Sequence, residues 1–152
     1  MDAPTTQRLS QLAESFRLGF RTSPLQYDLP SVAKVNAEVA LWHHEYRARG
    51  STWFSQGDRM AMCCGSFIGE MVRRVAGRDE LAWTTYDEAI RVDAQLQEVL
   101  GPKTKANSAF LVYGACRGFL FPWAKVYQRI VAGPEHDLDL FVRTALRTID
   151  ES

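Results

Sequence analysis

The sequence predicts an α+β domain, with about six helices packed on a small antiparallel sheet of roughly three strands. Three observations carry this. Apolar residues recur at spacings of three and four in six segments. Short β-rich runs at 81–86, 109–113 and 118–121 are bounded by turn residues. The chain has 152 residues, the length of a single domain, 1–152. A chain of that size buries roughly 68–70% of its unfolded surface on folding, so it needs no disulfide or metal to hold it.

The first helix is expected over 6–16, with Leu9, Leu12 and Phe16 on one side. So short a stripe suggests a docking extension, and the two prolines in 21–30 end it. Pro30 and Ser31 start a second helix in which Val32, Val35, Val39, Trp42 and Tyr46 recur, with Gly50 as its stop. A third is expected over 58–76, capped by Asp58 and stopped by Gly77. Two apolar stripes run along it, Met60-Cys64-Phe67-Met71-Val75 and Ala61-Gly65-Ile68-Val72, and only the line Arg59-Ser66-Glu70-Arg73 is polar. A helix apolar around most of its circumference belongs at the centre of a fold. Gly65 and Gly69 each cost about 1 kcal/mol in a helix interior, which points to close approach of another backbone.

In the strand at 81–86, Leu81 and Trp83 alternate with Ala82, Thr84 and Tyr86. Asp87 is expected to cap a fourth helix whose face is Ala89, Val92, Leu96 and Val99, closed by Gly101-Pro102. After a polar loop, the runs 109–113 and 118–121 form a hairpin around Gly114 and Gly118, with Cys116 at its tip. Pro122 opens a fifth helix, with Trp123, Val126 and Ile130 inward and Lys125, Gln128 and Arg129 outward. Asp137 caps a sixth, with Leu138, Phe141, Val142, Ala145 and Ile149 on its core face.

Charge and composition exclude several classes of function. Eighteen basic residues balance eighteen acidic ones, which gives no support to a nucleic-acid-binding face. No apolar run approaches the ~20 residues of a bilayer span, and the first ten residues lack the pattern of a signal peptide. With three cysteines, two of them adjacent, a reducing compartment fits better than a disulfide framework, and the expectation is a soluble cytoplasmic protein.

Candidate chemistry is sparse. His43-His44-Glu45 puts two histidines about 100° apart on a helix, so they cannot easily share a metal, and no metal site is expected. Cys63 and Cys64 lack redox spacing, and Cys116 has no basic partner except Arg117. Gly114 and Gly118 lack the Lys-Ser/Thr ending of a phosphate loop. Lys125 and Arg129 form a basic edge near a helix start, where an anion could be attracted. Trp53, in the loop between the second and third helices, would mark a contact surface if exposed.

Glu70 stands out as a carboxylate on the one polar line of the central helix. Arg74, four residues on, is placed for an ion pair of about 0.3–0.5 kcal/mol. The alternative is a cleft floored by Glu70, with Trp83, Tyr86 and Lys125 around it, serving a small ligand or an enzyme.

Several short stretches resemble a small bacterial domain found in many uncharacterised proteins. They are Gly65-Ser66-Phe67-Ile68-Gly69-Glu70, Trp83-Thr84-Thr85-Tyr86, Phe119-Leu120-Phe121-Pro122-Trp123-Ala124-Lys125-Val126, Gly133, and Asp137-Leu138-Asp139-Leu140-Phe141-Val142. The resemblance covers about the last 90 residues and implies no activity. Some such domains sit near toxin or secretion-system genes, which implies an immunity-type role. With no paired acids, nucleophile or cofactor motif, the leading expectation is a non-catalytic protein-binding module without cofactor. A homo-oligomer is a further possibility.

Overall fold

A computed structural model describes residues 3–21, 23–114 and 118–151. Cys116 and Arg117, placed by the sequence at the hairpin tip, lie outside the described residues. The architecture is α+β: seven α-helices among the described residues pack on one three-stranded antiparallel sheet. No described helix is long and apolar enough to cross a membrane.

Helix α1 (Ala3–Leu18) lies along α3 (Phe54–Ala76) and contributes Leu9 and Ala13 to the core, with Leu12 and Phe16 packed beside them. It is thus a wall of the core. The loop that follows returns to α1: Leu25 N donates to Arg17 O, and Arg17 Nη1 donates to Leu25 O. Helix α2 (Leu29–Arg49) buries Val32, Val35, Val39 and Trp42, as their spacing predicts. Its N-cap is Asp28, which accepts from Ser31 N at 2.9 Å.

Helix α3 begins four residues before the expected Asp58 cap. A 3₁₀ turn, Gly50–Trp53, runs straight into it. Trp53 is therefore no exposed loop residue. Its indole is buried, donates from Nε1 to Glu45 Oε2 at 3.0 Å, and lies so close under Gly57 that a Cβ there would sit 2.5 Å from the ring. Asp58, inside the helix, accepts instead from the Tyr127 hydroxyl at 2.5 Å and pairs with Lys105. Residues 64–72 are buried without interruption, which makes α3 the axis of the fold.

Helix α6 (Pro122–Val131) crosses that axis where its glycines permit. A Cβ at Gly65 would lie 2.9 Å from Trp123 Cα, and one at Gly69 would lie 3.0 Å from Pro122 Cγ and 2.5 Å from Trp83 Cζ2. The α6 backbone comes this close at Gly65, and the Trp83 and Pro122 side chains at Gly69, only because both positions lack a side chain.

Strands β1 (Ala82–Thr85), β2 (Ala109–Tyr113) and β3 (Gly118–Leu120) lie in the order β1-β2-β3. The register sets Trp83 opposite Leu111 and Leu111 opposite Leu120, on the face toward the main core. Phe110, Val112 and Phe119 fall on the other face, where a second apolar cluster forms with Tyr86 and Ala89.

Three expectations fail beside this sheet. Tyr86 is the first residue of α4 (Tyr86–Val92), not the end of a strand, and Thr85 caps the helix in place of Asp87, accepting from Glu88 N. The single fourth helix is two short ones, α4 and α5 (Leu96–Leu100), because Asp93 turns the chain and accepts from Gln95 N. The expected face is consequently split, leaving Val92 and Val99 more than 70% exposed.

Helix α7 (Leu138–Asp150) is capped by Asp137 and buries Leu138, Val142, Ala145 and Ile149, as expected. On α6, Trp123, Val126 and Ile130 face inward, but so does Arg129, only 5% exposed. Its Nε and Nη1 have no hydrogen-bond partner. Arg129 stands at i+7 from Pro122 and i+3 from Val126, which places it on the buried face.

Candidate functional site

Glu70 has no exposed side-chain surface. Its carboxylate accepts from Arg73 Nη2 at 2.6 Å, Arg74 Nε at 3.2 Å, Trp83 Nε1 at 3.0 Å and Ser10 Oγ at 3.3 Å. Burial pushes its pKa up, but the donors, Arg73 and Trp83 foremost, outweigh burial and hold the group below the usual carboxylate range. The pairing with Arg74 is as expected. With four donors engaged, the oxygens serve as a structural anchor joining α1, α3 and β1. The network continues outward: the Arg74 guanidinium lies 4.1 Å from the Tyr27 ring centroid, and the Tyr27 hydroxyl donates to Glu14. Arg17 and Tyr27 together hold the Glu14 pKa down, to about 2.

The cleft imagined around Glu70 is not assembled. Trp83 touches the carboxylate and fills the space beside it. Tyr86 turns to the second cluster and donates to Gly101 O at 2.6 Å. Lys125 lies on α6, with Nζ 3.3 Å from His136 Nδ1. His43, singled out for metal chemistry and set aside, has Nδ1 2.6 Å from the Ile130 carbonyl oxygen, which ties α2 to α6. Among the described residues no three His, Cys, Asp or Glu side chains gather as a metal site.

Of the expected site residues, Lys125 lines an open surface feature. Two adjoining grooves, of about 480 and 270 Å³, share Leu120, Lys125 and Phe141. They run beside β3, whose outer edge pairs with no described strand. The larger lies toward α5, walled by Val99, Leu100, Phe119 and Phe121. The smaller lies toward α7, walled by Leu140, Thr144 and Ala145, with Glu135 and Asp137 at one end. Leu140 and Val99 are 62% and 71% exposed, so both walls offer uncovered apolar surface.

Sequence reasoning missed this feature apart from Lys125. The 118–121 run was legible as a strand, but its position at the sheet's edge was not. An exposed strand edge presents unpaired backbone donors and acceptors. With apolar hollows on both of its sides, it suits an extended chain whose side chains alternate between them.

Compared with known proteins, the chain matches no family model, no curated protein and no solved structure. The resemblance to a small bacterial domain therefore carries no argument about its role.

Proposed function

We propose that this chain is a non-catalytic protein-binding module that receives an extended segment of its partner along the outer edge of β3. The observation that carries the reading is the open edge lying between two apolar grooves. Strand addition draws affinity from main-chain hydrogen bonds and specificity from pockets for alternate side chains. Residues pointing to one side of the added strand would meet Val99, Phe119 and Phe121, and those pointing to the other would meet Leu120, Leu140 and Phe141. Lys125, common to both grooves, would pair with an acidic residue of the segment. The saturation of Glu70 by four donors supports a binding role over a catalytic one.

Panning a displayed peptide library on the immobilised chain tests this. Selected peptides should alternate apolar residues and shift the amide resonances of residues 118–121 and 138–145. Leu140→Asp should weaken them at least tenfold, whereas Leu18→Asp, on an exposed face of α1, should not. Peptides that shift other surfaces, or a failure to select any, would overturn the reading. The narrower version, an immunity-type inhibitor of a bacterial toxin or effector, requires that co-expression with a neighbouring gene product relieve its toxicity. A Leu140→Asp chain should fail to do so.

A further inference from the structure

A second groove of about 480 Å³ lies between the C-terminal turn of α1, the middle of α2 and the first turns of α3. We propose that it binds a small amphipathic anion, an aliphatic or aromatic carboxylate whose body lies on Phe16, Phe20 and Trp42 and whose charge is taken by Arg59.

The walls are apolar and come from all three helices. Phe16 and Phe20 are half-buried with ring centroids 5.9 Å apart, and Trp42 meets Phe16 edge-on at 6.4 Å. Met60 lines the same space and is 39% exposed. The Phe16 and Phe20 rings and the Met60 thioether, left partly uncovered in a concavity backed by the buried Trp42, form a surface that an apolar body would desolvate. The volume falls within the roughly 300–1,000 Å³ of organic-ligand sites, larger than an inorganic ion needs.

The charges at the rim choose the sign of the ligand. Glu38 is occupied by Arg21, whose Nη2 lies 3.0 Å from Oε2, and Gln56 accepts from Arg49 at 3.4 Å. Arg59 lines the groove and has no ion-pair partner among the described residues. The rim therefore offers one uncommitted cation and no uncommitted anion. Cys63 does not oppose this: burial raises its thiol pKa against the pull of Arg59, so at neutral pH it is uncharged lining. A carboxylate would gain a charge-assisted hydrogen bond to a guanidinium that forms no ion pair among the described residues.

Cys63 also supplies the reporter. In a Cys116→Ser chain, Cys64 is fully buried, leaving Cys63 as the thiol open to iodoacetamide. Octanoate should slow its alkylation saturably, and 1-octanol and octylamine should be at least tenfold weaker. Arg59→Gln should bring octanoate down to the level of octanol without changing the thermal midpoint. Equal protection by the three probes, or none that saturates, would overturn the proposal. Protection that rises with protein concentration alone, together with a dimer in light scattering, would assign the groove to a second copy and overturn it too. The groove shares no lining residue with the β3 edge, so the two readings stand or fall separately.

Discussion

Glu70 stays ionised inside the protein because its four donors come from three elements, and each donor loses its acceptor if the carboxylate changes. Glu70→Leu would leave two guanidinium groups and an indole N–H without their partner. Arg73 and Arg74, 33% and 47% exposed, can turn to water, but the buried indole N–H cannot. An unsatisfied buried donor costs about 1–3 kcal/mol, to be read as a lower urea midpoint at unchanged slope. The same network sets an acid limit. Glu14 and Glu70 titrate lower in the folded chain than the 4.5 of a free glutamate. Their contribution is complete above that value and is lost as protons bind the folded state. Stability should thus be level from pH 7 to about 5 and fall from there toward pH 2. Glu14→Gln should flatten the lowest part of a thermal-midpoint profile against pH. Arg129 presents the opposite case, a buried cation whose Nε and Nη1 go unmatched. Arg129→Met should raise stability by about 1–3 kcal/mol, since an unsatisfied buried donor costs that much. At this scale the sequence showed that Glu70 and Arg74 are neighbours, because helical spacing is local. It could not show Trp83 and Ser10, 13 and 60 residues away, whose proximity depends on the packed fold.

Between elements, the decisive contact is that of α6 and Trp83 with the glycines of α3. Replacing a helical glycine by alanine ordinarily stabilises by about 1 kcal/mol. At Gly69 the sign should reverse, because the added Cβ would lie 2.5 Å from Trp83 Cζ2 and 3.0 Å from Pro122 Cγ. Overpacking of this kind costs roughly 1–3 kcal/mol, and chemical denaturation of Gly69→Ala measures it. Close approach of another backbone, expected at both glycines, is found at Gly65, whereas the space at Gly69 is filled by the Trp83 and Pro122 side chains. The notch itself was legible, since two interior glycines four apart on a buried helix lie on a single face. Helix starts were less so. Thr85 and Asp28 cap their helices where Asp87 and Pro30-Ser31 were expected, because each stretch holds two chemically competent caps two or three residues apart. Trp53 was misplaced for a related reason. Gly50 suggested an open loop, whereas the chain continued through a 3₁₀ turn that swings the indole under Gly57.

Over the whole molecule, the fold class was legible because it follows from the count and period of apolar stripes. The grooves were not, because a groove is the space that neighbouring elements leave unfilled. Only Lys125 connected the two levels, and it did so through its place at the start of α6. Helix α1 makes the extent of the core testable. Its Leu9 and Ala13 are buried against α3, and Ser10 reaches Glu70. A chain lacking residues 1–18 would expose that side of α3 and should lose its cooperative thermal transition, seen by circular dichroism. A retained transition would mean that α1 merely docks.

Three indole N–H groups end on side-chain acceptors, each at a different junction: Trp53 on Glu45, Trp83 on Glu70 and Trp123 on Ser66. In a proton spectrum these give three signals, one for the entry to α3, one for the sheet against α3 and one for α6 across it. Deuterium would erase them in the order in which the junctions open. Any loosening caused by acid, by a substitution or by an arriving partner can therefore be located in the native chain without an added label.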